Sequence, residues 1–127
     1  MKKIVFVVER TSDGYSAYAE NFPVYTTGSN IAEIKSNALE AMNLYCEEKA
    51  LRRISLESIS IKLDLPQFFD FYKEINAKAL SHRIHMNESL LSQYIDGKKE
   101  PSEKQVQRIL MGIKELGKEL TELDLAF

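Results

Sequence analysis

Residues 77–97 read AKALSHRIHMNESLLSQYIDG, and this stretch predicts two short helices joined by a tight connection. The first helix covers residues 77–84, and His85-Met86 forms the connection. Asn87 is suited to cap a second helix from Glu88 to Asp96, which Gly97 ends. Apolar residues at helical spacing are expected to point inward and hold the two helices at a fixed angle: Leu80, Ile84, Met86, Leu91 and Tyr94.

The positions left on the outside of the second helix are polar. They are Glu88, Ser89, Ser92 and Gln93. Short polar side chains near a helix N-terminus can enter the major groove of DNA, and glutamine can pair with N6 and N7 of adenine. Lys98 and Lys99 follow the helix and are expected to contact backbone phosphates.

Charge gives this interpretation only local support. The whole chain has a net charge of −2, so no global basic field points to nucleic acid. From Tyr72 to Lys114, however, eight lysines and arginines stand against five acidic residues. The alternative is a helical bundle with a solvated polar face, and the Glu88 carboxylate would repel phosphates unless it accepts from cytosine.

These residues resemble the Cro-like helix-turn-helix family of phage repressors. The matching positions lie within residues 67–112: Leu80-Ser81, Ile84, Met86-Asn87, Leu91-Ser92, Tyr94 and the run Asp96-Gly97-Lys98-Lys99-Glu100-Pro101-Ser102. The resemblance implies that the base-reading positions are Asn87, Glu88, Ser89 and Gln93. Two positions depart from the family pattern, because His85 stands where the turn usually has glycine and Ala77 where glutamine is common.

Upstream, the pattern predicts strands around a single long helix. Strands are expected at residues 2–9, 15–20, 24–26 and 56–63, with the turn residues Ser12-Asp13-Gly14 after the first. A capping-box-like start at Asn30 and Glu33 opens a helix that runs to about Lys49. Beyond Pro66 the remaining pattern is helical. The predicted fold class is therefore α+β, a β-β-β-α-β domain followed by an all-α domain, with the break near residue 65.

The first half also resembles a known family. The motifs Gly14-Tyr15-Ser16-Ala17, Pro23, Thr27-Gly28, Ile31-Ala32-Glu33 and Asn37-Ala38-x-x-Ala41 follow the order and spacing of the HicB-type antitoxin domain. That resemblance implies a partial RNase H-like domain over residues 1–63 that binds and neutralises a HicA-like RNA-cleaving toxin. It further implies that residues 66–127 bind operator DNA and repress the protein's own operon. The whole protein would then be the antitoxin of a type II toxin–antitoxin system. Tyr15, Tyr18 and Tyr25 offer an aromatic surface suited to a protein partner, although core packing explains at least half of them.

An RNase H-like shape also raises the alternative of a metal-dependent nuclease. Such a site needs several converging carboxylates, and the first strand is apolar throughout positions 4–8. The candidate carboxylates are Glu9, Asp13, Glu20 and Glu33. His82 and His85 lack a third ligand nearby, and Cys46 falls in a helical pattern as a half-buried thiol. We therefore expect no enzyme activity, no metal and no cofactor.

The last helix carries an apolar heptad pattern. A capping box at Ser102 and Gln105 opens it, and its seam is Val106, Ile109, Ile113, Leu116, Leu120 and Leu123. The seam predicts a homo-oligomer, in the simplest case a twofold dimer that places two recognition helices about 34 Å apart on DNA. The alternative is packing on its own domain alone. Gly112 and Gly117 each weaken the helix intrinsically by about 1 kcal/mol, which suggests that packing contacts hold it.

The N-terminal apolar run, Ile4 to Val8, is too short for a signal peptide, and no stretch reaches the length of a membrane span. A cytoplasmic protein that does not contact the membrane is therefore expected. The principal alternative function is a free-standing transcriptional regulator whose first domain senses a ligand or dimerises.

Overall fold

The computed structural model describes residues 3–125, which form two compact units, one ending at Phe71 and the other beginning at Tyr72. In this part of the chain the fold is α+β, as predicted, with a four-stranded mixed sheet and five α-helices. The first unit contains β1 (Ile4–Thr11), β2 (Gly14–Ala19), β3 (Tyr25–Gly28), α1 (Ile31–Glu48), β4 (Ile59–Leu63) and α2 (Leu65–Phe71). The second contains α3 (Ala77–Arg83), α4 (Glu88–Ile95) and α5 (Glu103–Thr121).

β1 lies in the interior of the sheet, whose strand order is β3-β2-β1-β4. It pairs antiparallel with β2 and parallel with β4, and β2 pairs antiparallel with β3. Phe6, Val7 and Val8 are all buried, so both faces of the strand are covered at these positions. Consecutive side chains of a strand point to opposite faces of the sheet, so burial on both faces explains the continuous apolar run.

The hydrophobic core of the first unit lies between α1 and the face of the sheet that carries Phe6 and Val8. Ile34, Ala38 and Met42 recur every four residues and form the buried stripe of α1. Cys46 continues this stripe and is buried, whereas the sequence predicted a half-buried thiol.

Both ends of α1 are closed by backbone and side-chain hydrogen bonds. The Asn30 side chain accepts from the Glu33 amide at 2.8 Å, which confirms the predicted cap. The Glu33 carboxylate accepts from the Ser29 amide at 3.3 Å, one residue before the amide that a capping box would use. At the other end Ala50 takes a left-handed conformation with φ 56°. The amides of Ala50 and Leu51 then donate to the carbonyls of residues 47 and 46, the Schellman arrangement.

The helix α2 belongs to the first unit. The Gln67 side chain accepts from the Arg10 amide at 2.8 Å and donates to the Arg10 carbonyl at 2.7 Å, so it pairs with the end of β1 as a strand would. The Asp64 amide also donates to the Val8 carbonyl. The compact first unit therefore extends six residues past the break predicted near residue 65, through Phe71.

The strand bounds differ from the sequence prediction at several ends. Leu56–Ser58 forms a 3-10 turn, so the fourth strand begins at Ile59 rather than at residue 56. β1 continues past Glu9 to Thr11, where it faces Gly14 across the hairpin. The predicted strand start at residue 2, and the ends of the two predicted domains at residues 1 and 127, lie outside the described residues. Within residues 3–125, no helix combines the length and apolar character needed to cross a bilayer.

We predict that Ala50→Gly stabilises the first unit. An L-residue in the left-handed region is strained, and glycine removes that strain at some cost in unfolded-state entropy, for a net gain of about 0.5–1 kcal/mol. Chemical denaturation of the full chain measures it. Lys49→Gly is the control, because Lys49 has φ −93° and gains nothing from glycine. Equal or lower stability of the Ala50→Gly variant would contradict this interpretation of the helix end.

Candidate nucleic-acid interface

α3 begins at a capped N-terminus and buries a short polar residue. The Asn76 side chain accepts from the Ala79 amide at 2.9 Å. Ser81 is fully buried, and its hydroxyl donates to the Lys78 carbonyl at 2.6 Å. Its hydroxyl is therefore satisfied within α3, so burial of this side chain leaves no unpaired polar group.

The connection between α3 and α4 turns through a left-handed residue. His85 has φ 55°, so it occupies the conformation that glycine usually supplies at this point of the turn. The Met86 amide donates to the Ser81 carbonyl at 2.9 Å, and the His85 amide donates to the His82 carbonyl at 3.3 Å. These two bonds form a Schellman motif, which ends α3 and fixes the direction in which the chain leaves it.

Arg108, on α5, binds the carbonyl groups of this connection. Its guanidinium donates to the Ile84 carbonyl at 2.7 Å and to the His85 carbonyl at 2.8 Å, and also to the Gln105 side chain at 3.2 Å. Carbonyls at the end of a helix have no partner within the helix, so a charged donor is well placed there. The contact was not predicted from the sequence, because nothing in the spacing of residues 84 and 108 signals it.

α4 has the predicted cap and the predicted buried face. The Asn87 side chain accepts from the Leu90 amide at 3.1 Å. Gly97 has φ 76°, and its amide and that of Lys98 close the C-terminal end of the helix. Of the residues predicted to point inward, Ile84 is half-buried and the others are buried, namely Leu80, Met86, Leu91 and Tyr94.

The predicted base-reading residues lie on the outward face of α4. Glu88, Ser89 and Ser92 are exposed, and Gln93 is half-buried with its amide nitrogen 3.4 Å from the Ser89 hydroxyl. Asn87, also exposed, uses its side-chain oxygen for the cap, which leaves its amide nitrogen to donate. The face therefore presents two hydroxyls and two amide groups, the donors and acceptors that base edges require.

Charged groups border this face. Lys98 and Lys99 are exposed just beyond α4, and within residues 3–125 neither ammonium group forms an ion pair. The Glu88 carboxylate lies 3.7 Å from the His82 imidazole, and both side chains are more than half exposed. A protonated His82 would partly offset the negative charge of Glu88.

A second ion pair joins α3 to α5. The Arg83 guanidinium donates to both carboxylate oxygens of Glu119, at 2.6 Å and 3.2 Å. These hydrogen bonds hold the pKa of the Glu119 carboxyl below its ordinary value and raise the pKa of Arg83. Because the pKa of Glu119 is lowered, the ion pair stabilises the folded state at neutral pH. This stabilisation is lost as the pH falls through the lowered pKa.

The two glycines of α5 have different surroundings. Gly112 is buried, and a Cβ there would clash with the Cγ2 of Ile84 and lie 3.3 Å from the Cδ1 of Leu80. Gly117 is exposed, and a Cβ there would meet no atom within 4 Å. Gly112 therefore permits α5 to pack on α3. Gly117 costs about 1 kcal/mol of helix stability, and no close packing within the described residues requires a glycine there.

The heptad seam divides into a packed part and an exposed part. Ile109 is fully buried within its own unit, which leaves it no surface for a second chain. Val106, Ile113 and Leu116 are half-buried. Leu120 and Leu123 are 57% and 67% exposed. α5 ends at Thr121, so Leu123 lies beyond the helix in which the sequence placed it.

In the first unit, the exposed aromatic pair lies on the sheet face away from α1. Tyr18 on β2 is opposite Tyr25 on β3, and these side chains are 44% and 66% exposed. Tyr15 lies on the other face, half-buried beside the core, with the Arg10 guanidinium 4.8 Å above its ring. Only two of the three predicted tyrosines therefore share a surface.

The candidate nuclease carboxylates take separate positions. The Glu33 carboxylate accepts from the Ser29 amide at the start of α1, and Asp13 accepts from the Thr11 hydroxyl in the hairpin turn. Glu9 lies on β1 and Glu20 follows β2. Among the described residues, no group of three histidine, cysteine, aspartate or glutamate side chains comes together as a metal site.

No protein-family model matches the chain, and a search of curated proteins returned no match.

We predict that Gly112→Ala destabilises the second unit by about 1–3 kcal/mol, because Ile84 is branched at Cβ and has little freedom to move away. Gly117→Ala is the matched control on the same helix. It fills open space and should raise the free energy of unfolding by about 1 kcal/mol. Chemical denaturation of both full-length variants checks the opposite signs, and two changes of the same sign would refute this account of α5 packing.

Proposed function

We propose that the protein is the antitoxin of a type II toxin–antitoxin system. In this proposal the second unit is a Cro-like helix-turn-helix that binds operator DNA and represses the protein's own operon. The first unit is a partial RNase H-like domain that binds and occludes a HicA-like RNA-cleaving toxin. The observation that carries the proposal is the outward face of α4, a polar surface on a short helix whose start is fixed by the turn at His85.

Several features of α4 support DNA as its ligand. The helix has eight residues, and the side chains of its first two turns, including Ser89, Ser92 and Gln93, are the ones available to base edges. Lys98 and Lys99 are exposed just beyond its C-terminal end and supply positive charge for phosphates there. Phosphate contacts then position the helix, and base contacts supply the sequence preference.

The first unit supports a protein partner rather than a small ligand. Its β-β-β-α-β order, with α1 on one face of the sheet, is what the resemblance to a HicB-type domain implies. The opposite face carries Tyr18 and Tyr25 side by side, and exposed paired tyrosines are typical of protein interfaces. Neutralisation by occlusion needs no turnover, so the proposal requires no catalytic group.

A homodimer completes the proposal. Of the six residues of the predicted seam, Val106, Ile113 and Leu116 keep some exposed surface, and Leu120 and Leu123 are largely exposed. A twofold axis near these residues would present two copies of α4 to a palindromic operator.

We predict that Gln93→Ala weakens binding to operator DNA by about 1–3 kcal/mol and reduces the preference over a scrambled duplex, because the variant makes one base contact fewer. Fluorescence anisotropy with the DNA upstream of the protein's own gene measures both quantities. Gln107→Ala is the matched control, since Gln107 is an exposed glutamine on α5. Unchanged affinity of the Gln93→Ala variant would rule out α4 as the reading helix.

A second arm of the same experiment separates phosphate contacts from base contacts. Replacing Lys98 and Lys99 together by alanine should weaken operator and scrambled DNA equally. It should also reduce the slope of log K against log salt concentration by roughly 2 in magnitude, close to 0.9 for each phosphate that the variant no longer neutralises. Replacing the exposed Lys3 and Lys49 of the first unit is the control. An unaltered slope would contradict the phosphate role.

We predict that replacing Tyr18 and Tyr25 together by serine abolishes toxin neutralisation and leaves operator binding intact. The measurement is RNA cleavage by the small toxin encoded beside the gene, with and without this protein. Tyr72→Ser in the second unit is the control. If the neighbouring gene encodes no toxin, the antitoxin proposal is wrong, and a free-standing transcriptional regulator becomes the proposed function. If the double variant still neutralises the toxin, its contact surface lies elsewhere.

A further inference from the structure

The first residue of α4 carries a negative charge at the edge of a face that is otherwise neutral. Glu88 is exposed, and it stands beside Ser89 and Ser92 on the outward side of the helix. A carboxylate close to DNA is repelled by the phosphates, so its presence here would weaken binding unless a base offers it a hydrogen-bond donor.

A histidine lies beside one of the two oxygens of the Glu88 carboxylate. Nε2 of His82, in the last turn of α3, lies 3.7 Å from Oε2 of Glu88. The same ring can carry a positive charge, which would offset the repulsion between Glu88 and the phosphates. Oε1 is then the oxygen available to a base edge.

The charges along α4 are separated. The eight residues of the helix extend about 12 Å. Lys98 and Lys99 follow its C-terminal end, whereas Glu88 is at its beginning. Phosphates bound by the two lysines would therefore lie more than a Debye length from the carboxylate at physiological salt, where the repulsion between them is largely screened.

The chemistry of a carboxylate restricts which base it can contact. An ionised carboxylate only accepts hydrogen bonds, so it is repelled by guanine O6 and N7 and by thymine O4. Adenine has a donor at N6 but places the N7 acceptor beside it. Cytosine presents the N4 amino group as its donor in the major groove, and this is the base edge that suits Glu88.

We propose that Glu88 is a specificity-determining residue that accepts from N4 of a cytosine in the operator, with His82 as the positioning residue for its carboxylate. This inference rests on the proposed DNA-binding function of α4. It assigns one C·G pair of each half-site to Glu88, separate from the base contact proposed for Gln93. Glu88 thus selects against the other three bases as well as for cytosine.

Fluorescence anisotropy with the duplex from upstream of the protein's own gene tests the assignment. Each C·G pair of the site is replaced in turn by T·A. The wild-type chain should lose affinity about tenfold at one such pair, because thymine O4 then faces the carboxylate. Glu88→Ala should bind the original and the replaced duplex equally at that pair, and keep the wild-type preference at every other pair.

Glu103→Ala is the matched control, because Glu103 is also an exposed glutamate at the first position of a helix, α5. It changes the net charge by the same amount and should leave the preference at that pair intact. If Glu88→Ala instead tightens binding to the operator and to a scrambled duplex by the same factor, the carboxylate only repels phosphates, and the proposal is wrong.

Glu88→Gln tests the base assignment, because it should change which base pair the protein prefers at that position. Glutamine both donates and accepts, and it pairs with N6 and N7 of adenine. This variant should prefer A·T over C·G at the pair that Glu88 contacts. It also keeps the length of the side chain, so it serves where Glu88→Ala fails to fold. An unchanged preference for C·G in this variant would overturn the assignment.

A double-mutant cycle tests the positioning role of His82. His82→Ala should weaken operator binding about threefold in the wild-type background and have no effect in the Glu88→Ala background, because its action passes through the carboxylate. Equal effects in both backgrounds would show a phosphate contact made by His82 itself, and would refute the positioning role.

The outcome for Gln93→Ala separates this inference from the proposed function. If Gln93→Ala reduces operator preference and Glu88→Ala does not, α4 reads DNA and only the assignment of Glu88 is refuted. If the wild-type chain shows no preference for any duplex, the proposed function itself is refuted.

Discussion

Three carbonyl groups at the end of α3 accept the hydrogen bonds that determine where α4 begins. The Ser81 carbonyl accepts from the Met86 amide, and Arg108 donates to the carbonyls of Ile84 and His85. With these bonds in place, Asn87 stands where it can cap α4, and Leu91 turns inward. The polar face of α4 is outward because the turn fixes its rotation, so the proposed DNA contact depends on this small set of bonds.

The same backbone conformation ends three of the helices. α1, α3 and α4 each end in a left-handed residue followed by the Schellman pair of hydrogen bonds, and these residues are Ala50, His85 and Gly97. Only Gly97 adopts that conformation without strain. At Ala50 and His85 the hydrogen bonds at the helix end offset the strain. Arg108 supplies two of those bonds at His85, whereas the end of α1 relies on its backbone bonds.

Features encoded by local spacing and capping were predictable from the sequence. The capped starts of α1, α4 and α5 at Asn30, Asn87 and Ser102, and the left-handed turn at His85, agree with the structure. Contacts between residues distant in sequence were not predictable. The Gln67 side chain forms strand-like hydrogen bonds with the backbone of Arg10, and Arg108 donates to the His85 carbonyl from 23 residues away. Neither contact leaves a periodic signal, because a single side-chain amide or guanidinium makes it. The outward polar face of α4 was likewise predictable in position but not in detail, since the approach of His82 to Glu88 depends on rotamers and on the angle between α3 and α4.

An NMR titration of the isotope-labelled full chain measures directly whether the outward face of α4 contacts DNA, on which the proposed function depends. The probe is a duplex from upstream of the protein's own gene, with a scrambled duplex as control. We predict that the largest amide shifts fall on residues 87–99, with the side-chain amide of Gln93 shifting only for the upstream duplex. Shifts confined to other residues, or none with either duplex, would contradict it.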